Sequence, residues 1–103
     1  MKELVNSVKL LVEGELICAN RKFPMFNSTH EGYSVIKEEV EEAEEDLVYI
    51  NTKLRHIWYA VKDNDTERAN KQANILKEYA IHLVAEAIQV AAMAQKFIDS
   101  EVK

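Results

Sequence analysis

The sequence predicts an all-α fold in which two long helices form an antiparallel hairpin beside a shorter N-terminal helix. The chain of 103 residues contains only two glycines and one proline, and this excludes a β-sandwich or barrel, which needs many tight turns. Apolar residues recur at helical spacing along most of the sequence. With 48% hydrophobic and 30% charged residues, the chain is too apolar to be disordered. Its length fits a single domain over residues 1–103.

The N-terminal helix is predicted over about residues 2–20, and a connector follows it over about residues 20–29. The helix has apolar residues every three or four positions, at Leu4, Val8, Leu11 and Val12. Gly14 weakens this helix by about 1 kcal/mol relative to alanine. The connector contains Pro24 and has no periodicity, and we expect its apolar residues to anchor it against the helices: Phe23, Met25 and Phe26.

The two long helices are predicted over about residues 29–62 and 66–100. Ser28 and Glu31 have the spacing of a capping box, which marks the start of the first of them. The polar turn over residues 63–66 is short, and a short turn between long helices favours antiparallel packing. Their apolar stripes are longer than the small N-terminal helix can cover. We therefore expect assembly into a four-helix-bundle-like oligomer, a homodimer or a homotetramer.

Charge and cysteine content restrict the partners and the location of the chain. The 18 acidic and 13 basic residues give a net charge of −5, which argues against binding to a nucleic-acid polymer. Cys18 is the only cysteine, so we expect a reducing compartment and a thiol buried as a small hydrophobic group. We find neither a run of about 18 apolar residues nor a signal peptide. These features predict a cytoplasmic protein with no membrane partner.

An acidic run from Glu38 to Asp46 lies on the first long helix. At about 100° per residue, part of this run points away from the apolar arc and is a solvated charged face. The rest lies beside the apolar arc, with Glu39 and Asp46 at its edge. Helical spacing joins these two to their neighbours, so that one ridge of carboxylates is formed by Glu38, Glu39, Glu42 and Asp46.

Glu86 is predicted to lie in the middle of the apolar stripe of the last helix. The stripe is formed by Tyr79, Leu83, Val90, Met93 and Phe97. A lone buried carboxylate costs several kcal/mol unless it is paired, protonated or bound to a metal. His82 and Gln89 flank Glu86 on one side, and Lys96 continues that side further along the helix. This polar strip singles out the last helix as the second half of a candidate site.

Antiparallel packing would bring Glu38, Glu39 and Glu42 opposite Glu86. Converging carboxylates repel one another, and a hard divalent cation removes that repulsion. Mg²⁺, or alternatively Mn²⁺, suits a set of oxygen ligands and commonly binds together with substrate phosphates. The alternative is that Glu86 forms a salt bridge, or a hydrogen bond with His82, inside a helical bundle without a metal.

The segment from His30 to Glu42 resembles the all-α NTP pyrophosphatase superfamily, the MazG-like enzymes. The family's Glu-Glu-x-x-Glu pattern is present as Glu38, Glu39 and Glu42. The family's second pattern, Glu-x-x-Asp, corresponds to Glu86 and Gln89, so that glutamine stands where aspartate is usual. The resemblance covers about residues 26–100, with a longer segment between the two patterns than the family commonly has.

This resemblance implies a Mg²⁺-dependent hydrolase that cleaves a nucleoside triphosphate between its α and β phosphates. It implies metal-binding and catalytic roles for Glu38, Glu39, Glu42 and Glu86, and Gln89 is then a neutral metal ligand through its carbonyl oxygen. Lys96 is a candidate to contact phosphate, and His30, Tyr33 and Trp58 are candidates to contact the base. The alternative for an aromatic residue at helical spacing is a place in the core. Two alternatives remain: a relative that binds nucleotide or metal without turnover, and a purely structural helical interaction module.

Overall fold

The computed structural model describes residues 1–102. Helix α1 spans Lys2–Lys22, α2 spans Thr29–Lys62 and α3 spans Thr66–Ser100. Within the described residues 88% are helical and no strand occurs, so the predicted all-α class is confirmed. The contacts divide the chain into two compact units. Unit 1 contains Met1–Glu41 and the chain from Glu86 onward, and unit 2 contains Glu42–Ala85. The single domain and the oligomeric bundle remain predictions.

The core of unit 1 forms where α1, the connector, the start of α2 and the end of α3 meet. Its buried residues are Phe26, Ala92 and Met93, and the apolar side chains packed against them are Val12, Leu16, Ala19, Val35, Ile36 and Phe97. Phe26 also anchors the connector, because its backbone N–H donates to Ser100 Oγ at 3.0 Å. Phe23 and Met25 are exposed, so Phe26 alone of the three expected anchors is buried.

A capping arrangement begins α2, as the spacing of Ser28 and Glu31 predicts. The backbone N–H of Glu31 donates to Ser28 Oγ at 3.0 Å. The Glu31 carboxylate accepts from the backbone N–H of Asn27 at 3.2 Å and from the Asn27 side-chain amide at 3.3 Å. The carboxylate therefore bonds one residue earlier than in the usual capping box, where it would reach the N–H of the capping residue itself.

Gly32 allows the start of α2 to approach the end of α3 closely. A Cβ atom at position 32 would overlap Cδ2 of Phe97 and would lie 3.1 Å from Cδ2 of Phe26. Any larger side chain would have to displace an aromatic ring of the unit 1 core. Gly14, in contrast, has open space around its Cα.

Unit 2 is a helical hairpin made from the end of α2 and the start of α3. The rings of Tyr49 and Tyr79 stack with centroids 4.9 Å apart. Asn64 turns the chain with φ of 54°, a left-handed conformation that asparagine tolerates well. Asp65 then caps α3, because its Oδ1 accepts from the backbone N–H of Arg68 at 3.0 Å. These contacts produce the antiparallel reversal within unit 2.

Two expectations about individual features need correction. Cys18 is exposed, because α1 packs through Val12, Leu16 and Ala19 and the thiol lies outside this apolar contact. The second expectation is that the chain has no stretch of about 18 apolar residues. Helix α3 contains an 18-residue window with mean hydropathy 1.2, which is long and apolar enough to cross a membrane by length and composition alone, and 17% of that window is buried in the structure. The core helices of soluble proteins, which are mostly buried, and signal sequences near an N-terminus pass the same test.

Candidate functional site

Unit 1 contains a cavity of about 480 Å³. We call it the unit 1 cavity. Helix α1, the connector, the start of α2 and the end of α3 all contribute to its wall, which is formed by Glu15, Cys18, Ala19, Lys22, Phe23, Pro24, Phe26, Glu31, Val35, Glu39, Gln89, Met93 and Lys96. Its volume is within the range of small-molecule sites, about 300–1,000 Å³. Three residues singled out from the sequence, Glu39, Gln89 and Lys96, therefore line one cavity.

Lys96 is the most deeply buried charged residue of this cavity wall. The residue is 2% exposed, and its Nζ lies 5.2 Å from the centroid of the Phe26 ring. A cation over an aromatic face gains about 0.5–2 kcal/mol, whereas burying an ammonium group costs several kcal/mol. An arrangement of this kind favours an anion in the cavity beside the ammonium.

Glu39 and Glu86 approach each other from α2 and α3. Each carboxylate has an oxygen within 4.8 Å of an oxygen of the other. Both side chains are half-buried, and Oε2 of Glu86 is buried. The half-buried position of Glu86 agrees with its predicted place in the apolar stripe of α3. Two carboxylates at this separation provide oxygen ligands of the kind that Mg²⁺ and Mn²⁺ prefer.

Gln89 forms a hydrogen bond that the sequence did not reveal. Its Nε2 donates to Oε1 of Glu15 at 2.7 Å. Glu15 lies among the apolar contact residues of α1, three positions after Val12 and one before Leu16. A helical wheel of α1, drawn in the same way as that of α3, would have singled out this carboxylate. The side-chain carbonyl of Gln89 is a separate atom from the nitrogen that bonds Glu15, so the predicted ligand role of that oxygen remains a prediction.

The other predicted site residues lie outside the cavity wall. Three of them are exposed: His30, Tyr33 and Glu38. None of the three is among the described residues that line the unit 1 cavity. Glu42 belongs to unit 2, and its side chain is exposed. The structure thus gathers Glu39, Glu86, Gln89 and Lys96 in unit 1, and it does not bring His30 or Tyr33 into the cavity wall.

Unit 2 contains a short hydrogen bond between Asp46 and His82. Nδ1 of His82 lies 2.6 Å from Oδ2 of Asp46. Asp46 is buried, whereas the His82 side chain is 63% exposed. Both residues line a groove of about 420 Å³. The sequence placed Asp46 at the edge of the apolar arc and His82 on the polar strip of α3, but their pairing depends on the register between the helices.

Comparison with protein-family models, with curated proteins and with solved structures finds no match to this chain.

Proposed function

We propose that this chain is a Mg²⁺-dependent nucleoside triphosphate pyrophosphohydrolase of the MazG-like kind, with Mn²⁺ as an alternative ion. The proposal includes action as a homodimer or homotetramer in the cytoplasm. The observation that carries it is the approach of Glu39 and Glu86, whose carboxylate oxygens lie within 4.8 Å of one another. Glu39 belongs to the segment that resembles the family's Glu-Glu-x-x-Glu pattern, and Glu86 belongs to the segment that resembles its Glu-x-x-Asp pattern.

The ligand atoms in unit 1 fit a hard divalent cation. Glu39 and Glu86 supply two carboxylates, and the carbonyl of Gln89 supplies a neutral oxygen beside them on α3. On α2, Glu38 comes one position before Glu39, and Glu42 comes about one helical turn after it. In this proposal they supply further negative charge. A bound cation reduces the repulsion among these carboxylates, and this favours binding over an empty acidic site.

The residues of the cavity suit the two ends of a nucleotide. The ammonium of Lys96 binds a phosphate oxygen, and its burial strengthens that contact because water competes less for the charge. Phe26, Met93 and Val35 supply apolar surface for the base and exclude water. A divalent cation held by Glu39, Glu86 and the side-chain carbonyl of Gln89 would neutralise the phosphate chain and would lower the pKa of a bound water for attack. Attack at the α-phosphorus breaks its bond to the bridging oxygen and releases nucleoside monophosphate and pyrophosphate.

A relative that binds nucleotide without hydrolysing it is the second candidate. The hydrogen bond from Gln89 to Glu15 favours it. The position where the family has an aspartate carries a neutral amide, and this amide is already engaged by α1. A site with one fewer negative charge holds a cation less tightly, and catalysis suffers before nucleotide binding does.

The experiment is an assay of the common ribo- and deoxyribonucleoside triphosphates with Mg²⁺, with Mn²⁺ and with EDTA, in which pyrophosphate and monophosphate are both measured. We expect metal-dependent release of the two products in equal amounts. Glu39→Gln should lower turnover about 100-fold. Glu41→Gln is the matched control, because Glu41 lies on the same helix and is exposed in a surface ion pair with Lys37.

Each other result points to a different function. Release of orthophosphate would contradict cleavage between the α and β phosphates. Thermal stabilisation by Mg²⁺ and nucleotide without product release would support the second candidate. The absence of both turnover and stabilisation would leave a structural helical module.

A further inference from the structure

The unit 1 cavity has a feature that metal-dependent hydrolysis does not by itself require. The cavity wall contains a buried positive charge that the protein itself supplies. This charge is the side chain of Lys96, a residue that is 2% exposed. The ammonium lies over the face of Phe26. A lysine that is held in place by packing loses little further side-chain freedom when it binds an anion, so its contact with an anion is strengthened.

Glu15 and Glu31, two carboxylates of the cavity wall, are held by hydrogen-bond donors within the protein. Glu15 accepts from the amide of Gln89 at 2.7 Å. Glu31 accepts from the backbone and the side chain of Asn27 as part of the helix cap. These contacts direct carboxylate oxygens toward donors within the protein and lower their repulsion toward an incoming anion. Lys22, which also lines the cavity, adds a second positive charge.

The remaining wall is largely apolar and is partly aromatic. Phe23, Pro24 and Phe26 come from the connector, and Met93 comes from α3. A ligand that fits this wall has one compact anionic group and one flat apolar part. A nucleoside monophosphate has both, and the volume of about 480 Å³ is sufficient for it.

We infer that the unit 1 cavity binds a nucleoside monophosphate without a metal ion, with the phosphate on Lys96 and the base against the connector. The choice of a nucleotide rests on the proposed function, whose product this ligand is. The consequence is that the monophosphate product is retained at the site when no cation is bound and competes with the next substrate.

Cys18 offers a direct measurement of occupancy. It is the only cysteine of the chain, it is exposed, and it lines the same cavity. A ligand in the cavity should therefore slow the reaction of this thiol with a disulfide reagent such as DTNB. The rate would be measured in EDTA with AMP, GMP, CMP and UMP, and separately with a nucleoside and with inorganic phosphate.

We expect at least one monophosphate to slow the thiol reaction about tenfold at saturation. The matching nucleoside and phosphate alone should each need at least about tenfold higher concentration, because each lacks one of the two contacts. Lys96→Met retains the length and the apolar stem of the side chain, and should weaken protection by the monophosphate about tenfold or more. Lys77→Met is the matched control, because Lys77 is an exposed lysine on the same helix.

Several results would overturn the inference. These are no protection by any monophosphate in EDTA, equal protection by the nucleoside, or unchanged protection in Lys96→Met. If Lys96→Met does not fold, Lys22→Met replaces it, and unchanged protection by the monophosphate in that variant contradicts the proposed anion site. Turnover with Mg²⁺ but no protection in EDTA would overturn this inference and leave the proposed function intact. Protection by a monophosphate in EDTA without turnover in Mg²⁺ would support this inference and contradict the proposed hydrolysis.

Discussion

Nδ1 of His82 lies 2.6 Å from Oδ2 of Asp46, and this hydrogen bond joins the two arms of the hairpin in unit 2. Asp46 is 7% exposed, so its carboxylate has little contact with water. A buried carboxylate that loses a donor is left with a desolvation cost that water does not repay. The imidazole is therefore expected to support the hairpin, independently of any ligand in unit 1.

Replacing His82 by alanine should lower the free energy of unfolding by roughly 1–3 kcal/mol, because the Asp46 carboxylate loses its imidazole donor. Urea denaturation followed by circular dichroism measures the change. His30→Ala is the control, since His30 is an exposed histidine at the start of α2, and we expect a change within about 0.5 kcal/mol there. Equal losses in the two variants would show that the pair contributes nothing specific.

The two glycines should respond in opposite directions to replacement by alanine. Gly32→Ala places a methyl group against Phe97 and Phe26, and overpacking of this kind costs about 1–3 kcal/mol. Gly14→Ala meets open space and should gain about 0.5–1 kcal/mol from helix propensity. Thermal unfolding of both variants and the wild type tests the contrast. A melting temperature of Gly32→Ala at or above that of Gly14→Ala would contradict the close packing at position 32.

The parts of the fold that follow from local spacing could be predicted from the sequence. The apolar periodicity and the capping residues Ser28 and Glu31 depend on neighbours along one helix. The half-buried position of Glu86 also follows from a wheel drawn on α3 alone. Glu86 could be recognised as a candidate site residue because a carboxylate in an apolar stripe conflicts with the rest of its helix.

The pairings that cross between helices could not be predicted in the same way. The hydrogen bonds of Gln89 with Glu15 and of His82 with Asp46 join residues that are 74 and 36 positions apart. Both depend on how far one helix is displaced along another, and periodicity leaves that register open. The exposure of Cys18 depends on which face of α1 packs, and its residue type alone favoured burial.

The hairpin of unit 2 leaves large apolar side chains in water. Leu54 is 56% exposed, Trp58 is 57% exposed and Val61 is 50% exposed. Apolar surface of this extent favours self-association, so we expect a mass in light scattering of at least twice the 11.9 kDa of one chain. Leu54→Glu should lower the mass at a given concentration, because it places a charge on this surface. A wild-type mass near 11.9 kDa at micromolar concentration would contradict the prediction.

Gln89 is the position at which the chain departs from the pattern it resembles, and charge counting gives a prediction with a definite sign. Gln89→Asp removes the amide that donates to Glu15 at 2.7 Å and adds a carboxylate one helical turn from Glu86. In EDTA the variant should therefore lose about 1–3 kcal/mol. This corresponds to a melting temperature lower by roughly 4–8 °C per kcal/mol in a domain of this size.

With Mn²⁺ the same variant should recover stability, because the added carboxylate strengthens the negative site that holds the cation. The measurement is the melting temperature of wild type and Gln89→Asp in EDTA and across a Mn²⁺ titration, with Asn51→Asp as the control at an exposed position of α2. A larger Mn²⁺-dependent rise in Gln89→Asp than in wild type places position 89 at the cation site. Equal rises in the two proteins would reject a ligand role for position 89, and the loss in EDTA would then reflect only the broken contact with Glu15.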